Sequence, residues 1–388
     1  VDSIIVVTLP TLRALWMVPE GMKKGSPVRS RRAWPSSNSI STSPRAMYPT
    51  VTPGWLCRPD SLPLGISTRV CTVSHPLAGA LEHGPGDSAF PPLKQIRAGL
   101  LEIGYAEVGP AHGAPVICLH GWPYDIHSFV DVAPLLAAEG YRVIVPYLRG
   151  HGTTRFVAPR TFRNAQQSAI ALDIIALMDA LGLEKAVLAG FDWGARTADI
   201  IAALWPDRCK ALVSVGGYVI TDREANLQPL APVAEHAWWY QYYFATERGR
   251  IAMEDKGKRH DLTRLVWNTV SPTWDFDDAT FERTAAAFEN PDYAAIVIHN
   301  YRWRLSLAEG ERRYEPYEKR LAARPVIAVP TLTLDAERDP FTIPGNGDAY
   351  RDRFTGPYDH RTFKGIGHNV PQEAPGAFAR AVADADRL

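Results

Sequence analysis

Ten consecutive residues limit the fold of this chain more than any other stretch. Val187-Leu188-Ala189-Gly190-Phe191-Asp192-Trp193-Gly194-Ala195-Arg196 ends a short apolar run in Gly-x-Asp-x-Gly, and an Ala-rich helical pattern follows at once. A strand that turns this sharply into a helix forces the residue at its apex into strained backbone geometry, and only very small neighbours fit beside it. The two glycines meet that demand, and the residue they expose is a carboxylate, Asp192. Taken alone, the same ten residues would also describe an ordinary Gly-rich strand-to-helix turn, so the rest of the chain has to decide.

Residues 115–119, 141–145, 185–191 and 210–215 are short, mostly apolar runs, the pattern of strands covered on both faces. Residues 100–107 read as an opening strand. Helical periodicity falls between these runs, over 126–139, 165–181 and 193–204, the last stopped by Pro206. The alternation predicts an α/β fold, a doubly wound, mostly parallel sheet with helices on both faces. It breaks at 221–324, where helical patterns and a dense aromatic cluster carry no clear strand, and resumes at 326–334 and 361–364. The economical division is a core of 93–220 and 325–388, with 221–324 inserted as a helical cap. Such a cap would cover the strands' carboxyl ends, where open α/β sheets place their sites.

Residues 1–92 have a different character, rich in Pro, Ser and Arg, with tracts such as Arg29-Ser30-Arg31-Arg32 and Ser36-Ser37-Asn38-Ser39 and no persistent apolar period. That composition predicts a disordered leader, or upstream sequence read through from a wrongly assigned start. The early Ile4-Ile5-Val6-Val7 run has no basic stretch before it, a poor fit to a secretory signal. No apolar run reaches the ~18 residues of a membrane span. Lys plus Arg and Asp plus Glu number 42 each, which removes net charge as a reason to bind nucleic acid or a membrane surface. The four cysteines, Cys57, Cys71, Cys118 and Cys209, lack metal-ligand spacing. Free buried thiols in a reducing, cytoplasmic setting are the expectation.

In α/β hydrolases the nucleophile at such an elbow is followed by an acid and then a histidine later in the chain. Leu334-Asp335-Ala336-Glu337-Arg338-Asp339-Pro340 offers two acids at a strand end, either of which would otherwise read as a helix cap or surface charge. Gly365-Ile366-Gly367-His368-Asn369 places His368 in a glycine-flanked loop after the last strand. Leu119-His120-Gly121-Trp122-Pro123 follows a buried strand, and its glycine permits close backbone approach. The backbone N–H groups of Trp122 and Trp193 would then face a developing oxyanion, with His120, Gly121 and Pro123 shaping the loop. Residues 146–152 read as a second ordered loop that serves as scaffold.

From about residue 95 to the end the chain resembles the α/β-hydrolase fold family and, within it, the epoxide hydrolases. His120-Gly121-Trp122-Pro123 is similar to their oxyanion motif, Asp192-Trp193-Gly194 to their elbow, Asp339 to their acid and His368 to their base. Trp239-Tyr240-Gln241-Tyr242-Tyr243-Phe244 and Asn300-Tyr301-Arg302 are similar to their two tyrosine segments. The resemblance implies that Tyr240 and Tyr301 hold the epoxide oxygen, with Tyr242 or Tyr243 in place of Tyr240 if the register differs. It implies attack by Asp192, an alkyl-enzyme ester, hydrolysis by water that His368 activates, and a vicinal diol product. The substrate implied is a small apolar or aromatic epoxide, with no metal or organic cofactor. Haloalkane dehalogenases share the aspartate and often the following tryptophan, but often place Asn or Glu where this chain has Trp122. Haloacetate dehalogenases place arginine where it has Trp193. A hydrolase-fold ligand binder without catalysis has no need of nucleophile, acid and histidine together.

Overall fold

The computed structural model describes residues 89–341 and 347–388. The leader expected over 1–92 lies almost entirely outside them, as do Cys57 and Cys71; Cys118 and Cys209 are buried free thiols. Among the described residues nine strands make one sheet: β1 Lys94–Ala98, β2 Leu101–Val108, β3 Ala114–Leu119, β4 Tyr141–Pro146, β5 Arg155–Phe156, β6 Ala186–Gly190, β7 Cys209–Val215, β8 Thr331–Ala336 and β9 Tyr358–Phe363. The order is β1-β2-β4-β3-β6-β7-β8-β9, with β5 on β2. Pairing is parallel from β4 across to β9 and antiparallel at the β1, β2 and β5 end. All five residues of β6 are buried, as a central strand with helices on both faces requires. Each Val or Leu removed from water there contributes about 1.5–3 kcal/mol.

Around the sheet pack α1 Val132–Ala138, α2 Gln167–Ala180, α3 Trp193–Leu204, α11 Val370–Glu373 and α12 Pro375–Ala385, with α1 against α12 and α2 against α3. Helix α2 stops at Gly182 (φ 67), where the Leu183 N–H reaches back to Met178 O at 2.8 Å, because a left-handed residue after the last turn turns the chain onto its own free carbonyls. Between β7 and β8 every regular element is helical: α4 Pro232–Ala237, α5 Trp239–Ala245, α6 Glu247–Glu254, α7 Lys256–Val270, α8 Asp278–Ala285, α9 Tyr293–Arg304 and α10 Glu315–Ala322, with short 3-10 turns. This segment is stitched to the sheet's loops by specific bonds. The Trp267 indole N–H donates to Pro123 O at 2.8 Å, Thr284 Oγ1 to Asp125 Oδ1 at 3.0 Å, and Asn290 Nδ2 to Thr154 O at 2.7 Å.

Several sequence expectations shift. A hairpin strand, β1, precedes the expected opening strand, joined to it through Gly99 (φ 57). The helix expected over 126–139 is a 3-10 turn, Ile126–Phe129, and then α1. A continuous helix would put Pro134 in its interior, where the ring clashes with the preceding turn; starting at Val132 leaves Pro134 in the first turn. The strand expected over 326–334 begins only at Thr331, with Ile327 in an isolated bridge to Phe354. Pro330 has no N–H for a ladder, so regular pairing starts after it. The strand then continues to Ala336, which puts Asp335 inside β8 rather than at its end.

Candidate active site

Asp192 stands between β6 and α3 at φ 52, ψ −119, a conformation that costs a residue with a side chain roughly 1–3 kcal/mol. The flanking glycines act by size, since neither has positive φ. A Cβ on Gly194 would lie 1.9 Å from Leu119 O, and one on Gly190 would lie 2.5 Å from the Gly194 carbonyl carbon. Gly194→Ala therefore pushes backbone against backbone. It is expected to destabilise the protein by at least about 1–3 kcal/mol, which a thermal scan reads at about 2–4 °C per kcal/mol. An unchanged midpoint would contradict this tight packing of elbow on strand end.

The loop after β3 meets the elbow from the other side. A Cβ on Gly121 would fall 2.5 Å from Asp192 Cβ, so only glycine lets the two backbones come this close. The Trp122 N–H donates to Asp192 Oδ1 at 2.8 Å. His120 shapes this loop: its Nε2 accepts the Leu148 N–H at 3.1 Å, which places the proton on Nδ1 for donation to Gly121 O at 2.8 Å. Burial, reinforced by neighbouring His151, holds the His120 pKa well below its ordinary value, so the ring is neutral. The peptide between Trp122 and Pro123 is cis. Trp193 opens α3, where a backbone N–H has no intrahelical partner. In the loop after β4, buried Arg149 grips Asp173 through two bonds of 2.6 and 2.7 Å.

His368 completes the line. Its Nδ1 lies 2.7 Å from Asp339 Oδ2 and its Nε2 lies 3.8 Å from Asp192 Oδ2, an ion-pair distance rather than a hydrogen bond. Asp339 Oδ1 accepts the Phe341 N–H at 2.9 Å. Asp335, the other acid candidate, points elsewhere: Oδ1 accepts the Tyr350 hydroxyl at 2.8 Å and Oδ2 lies 3.5 Å from His360 Nε2. Burial favours neutral forms of both Asp192 and His368, but their partners outweigh it. The Asp192 carboxyl is held below its ordinary pKa by His368, Arg196 and the Trp122 N–H. Asp339 and Asp192 push His368 up to about 10. In the free protein both Asp192 and His368 are thus held toward their charged forms. Gly365 (φ 73) gives the histidine loop its turn, while Gly367 serves close packing: its Cβ would lie 2.6 Å from Ser271 Cα.

Tyr240 on α5 and Tyr301 on α9 meet above Trp122. Their ring centroids lie 5.2 and 5.4 Å from that indole and 5.6 Å from each other. Both are buried. Burial raises both phenol pKa values above the ordinary tyrosine value, and the Asp192 charge adds to the shift, so both carry their proton. Tyr242 is exposed and its hydroxyl is bonded to Glu235, while Tyr243 packs on Trp239 and Phe244; neither ring touches Trp122. The indole N–H groups of Trp122 and Trp193 meet no acceptor in good hydrogen-bonding geometry, though they lie near the Tyr293 and Tyr301 hydroxyls respectively.

The structure thus gathers Asp192, Asp339, His368, Trp122, Trp193, Tyr240 and Tyr301 into one place, with His120, Gly121 and Pro123 beneath them. It adds three residues that the sequence did not single out. Phe341 stands 5.3 Å from His368 and 6.1 Å from Tyr240 between ring centroids. Ser271 and Glu373 bind the histidine loop. A proline directly after Ser271 marked a helix end, but nothing local ties that end to His368. Among the described residues no group of three or more His, Cys, Asp and Glu could hold a metal ion. No helix among them is long and apolar enough to cross a membrane.

Comparison with known proteins bears on the fold and the family. The α/β hydrolase fold family matches residues 114–375. A crystal structure of a Klebsiella pneumoniae protein, provisionally named an epoxide hydrolase, superposes with a TM-score of 0.74 at 57% identity, covering 76% of this chain and 97% of that one. Epoxide hydrolase B of Mycobacterium tuberculosis is 31% identical over 172 residues, 41% of this chain and 47% of that protein, so the chain spans about half the length of this curated relative. The haloalkane dehalogenase of Mycobacterium marinum is 28% identical over 216 residues, 52% of this chain and 67% of that protein. With a family match over most of its length and the sheet, elbow and histidine loop in place, this chain belongs to the α/β hydrolase fold family.

Proposed function

We propose that the protein hydrolyses an epoxide to a vicinal diol through an ester on Asp192, with residues 221–324 acting as a cap over a core of 93–220 and 325–388. One observation carries this reading: two protonated, buried phenols from separate helices of the insertion meet over the residue whose N–H holds the Asp192 carboxylate. The roles follow from the two carboxylate oxygens. Oδ1 rests on the Trp122 N–H, leaving Oδ2, the oxygen nearer His368, to attack a ring carbon. The carbon–oxygen bond of the epoxide breaks, and Tyr240 or Tyr301 gives its proton to the departing oxygen, which would otherwise leave as a strongly basic alkoxide.

Esterification then changes the electrostatics. Asp192 loses the charge that helped hold the His368 proton, and the phenolate just formed is a base that can receive it. Neutral His368, oriented by Asp339, takes a proton from water as that water attacks the ester carbonyl. The oxygen that becomes the oxyanion is Oδ1, already on the Trp122 N–H and beside the start of α3, where the Trp193 N–H is available. Such donors supply about 2.7–4 kcal/mol each in comparable sites. Collapse of the adduct breaks the bond between the carboxyl carbon and Oδ2. The departing alkoxide takes the proton left on the attacking water's oxygen, so the diol leaves with Oδ2, the water oxygen stays on Asp192 as part of its carboxylate, and His368 is again protonated.

The Trp122 and Trp193 indole N–H groups, which meet no acceptor in good hydrogen-bonding geometry, favour a second reading, a haloalkane dehalogenase that holds the leaving halide. One comparison separates the two. Wild type and the double variant Tyr240→Phe/Tyr301→Phe are given a simple aryl epoxide and, separately, an alkyl halide. Loss of the phenols is expected to slow diol formation about 10²–10⁴-fold. An unchanged rate would refute the assignment of the tyrosines, and halide release without epoxide opening in the wild type would establish the second reading.

A further inference from the structure

The backbone that carries His368 is gripped by a side chain the proposed reaction does not use. Glu373, at the end of α11, turns back on its own loop: Oε2 accepts the Gly367 N–H at 2.7 Å and Oε1 accepts the Asn369 N–H at 3.1 Å. Oε1 also accepts the Ser271 hydroxyl proton at 2.6 Å. That donation leaves the Ser271 oxygen free to accept the His368 N–H at 3.0 Å, a proton that Val270 O shares at 3.2 Å. Three successive amides, 367 to 369, are therefore tied to one carboxylate, directly or through a single hydroxyl. The loop packs against Ser271 so closely that only glycine fits at 367.

The two anchors come from different parts of the chain. Glu373 belongs to the helix after the last strand, whereas Ser271 is the residue that ends α7 of the insertion. One turn earlier on α7, the Trp267 indole N–H is bonded to Pro123 O, beside Trp122. One helix thus touches both the loop that holds Asp192 Oδ1 and the loop that carries the histidine. A base must keep its reach to within about half an ångström, and a loop with glycines at 365 and 367 has little stiffness of its own.

We propose that Glu373 and Ser271 are positioning residues for the ester-hydrolysis step: they fasten the His368 loop to α7, so that the imidazole stays in reach of Asp339 and of the Asp192 carbonyl together. This rests on the ester mechanism proposed above. Its distinguishing consequence is a split between the half-reactions, because attack by Asp192 needs the tyrosines and not the histidine.

Glu373→Gln and Ser271→Ala are compared with wild type by rapid mixing with an aryl epoxide and intact-mass analysis of the quenched protein. A displacement of the base near an ångström is worth about 100-fold. The expectation is that hydrolysis of the ester slows toward that factor while its formation changes less than about twofold, so that ester accumulates. Amide hydrogen exchange, which needs no turnover, should show Gly367 and Asn369 losing protection in Glu373→Gln. Equal slowing of both half-reactions, an unchanged kcat, or unchanged exchange at those amides would each overturn the proposal. Ser271→Ala removes only one hydroxyl and serves if the glutamate variant fails to fold. Wild type that forms neither ester nor diol would instead overturn the functional reading, with the exchange result still deciding whether the clamp exists.

Discussion

Asp192→Asn is expected to abolish the covalent intermediate and to lower diol formation by on the order of 10⁴-fold or more, the scale seen when a covalent nucleophile is removed. Asparagine is the informative replacement. Asparagine has nearly the shape of aspartate, so it can take the same backbone conformation, φ 52 and ψ −119, and its carbonyl oxygen can still accept the Trp122 N–H, so the elbow should keep its shape. What disappears is charge. An amide oxygen is a poor nucleophile, whereas the Asp192 carboxyl, held below its ordinary pKa by His368, Arg196 and the Trp122 N–H, is ionised across the neutral range despite its burial. The measurement is intact mass after exposure to an aryl epoxide, alongside diol release. Adduct formation or near-wild-type turnover in this variant would remove Asp192 from the chemistry.

His368→Gln has the complementary result: one equivalent of substrate reacts, the protein gains its mass, and turnover then falls by about 10²–10⁴-fold. A pH dependence accompanies this. In the free protein, Asp339 and Asp192 push His368 up to about 10, so it cannot act as a base there. Once Asp192 is an ester, one of those two anions is gone and the proton is held less tightly. The basic form needed for kcat should therefore appear at a pH well below 10, while direct titration of His368 in the free protein by NMR should place it near that value. Coincident values would contradict the role given to the Asp192 charge. Stability follows the same groups. Charged His368 contributes stability that is complete below its unfolded value of about 6.5 and lost as pH rises toward about 10. Ionised Asp192 contributes stability above the ordinary carboxylate range and loses it as pH falls through its lowered folded value.

Much of the site was legible because its parts are local. Gly-x-Asp-x-Gly, the His-Gly-Trp-Pro loop and the Gly-His loop each encode their geometry within five residues, through glycine size, proline and the helix start that follows. The alternation of apolar runs and helical periods likewise announced the parallel part of the sheet. The antiparallel β1 strand was less visible: it shows an exposed face at the sheet's edge and lacks the continuous apolar run of a central strand.

Choices between near neighbours needed the folded chain. Asp335 and Asp339 are four residues apart and chemically identical. The start of regular pairing after Pro330 puts Asp335 inside β8, facing Tyr350 and His360, and leaves Asp339 beyond the strand, against His368. Tyr240, Tyr242 and Tyr243 share one helix, α5, and its rotation against α9 turns the first toward Trp122 and leaves the second exposed. Ser271 and Glu373 reach the histidine loop from 97 positions before His368 and from the helix that follows it. The amino-acid sequence by itself determined where the backbone turns, which side chain each turn presents and the order of the elements, because those depend on residues within a helical turn of one another. Only the tertiary structure decided which acid meets the histidine, which tyrosine packs on Trp122 and what holds the histidine loop, because those contacts depend on register and helix rotation set by packing across the whole core.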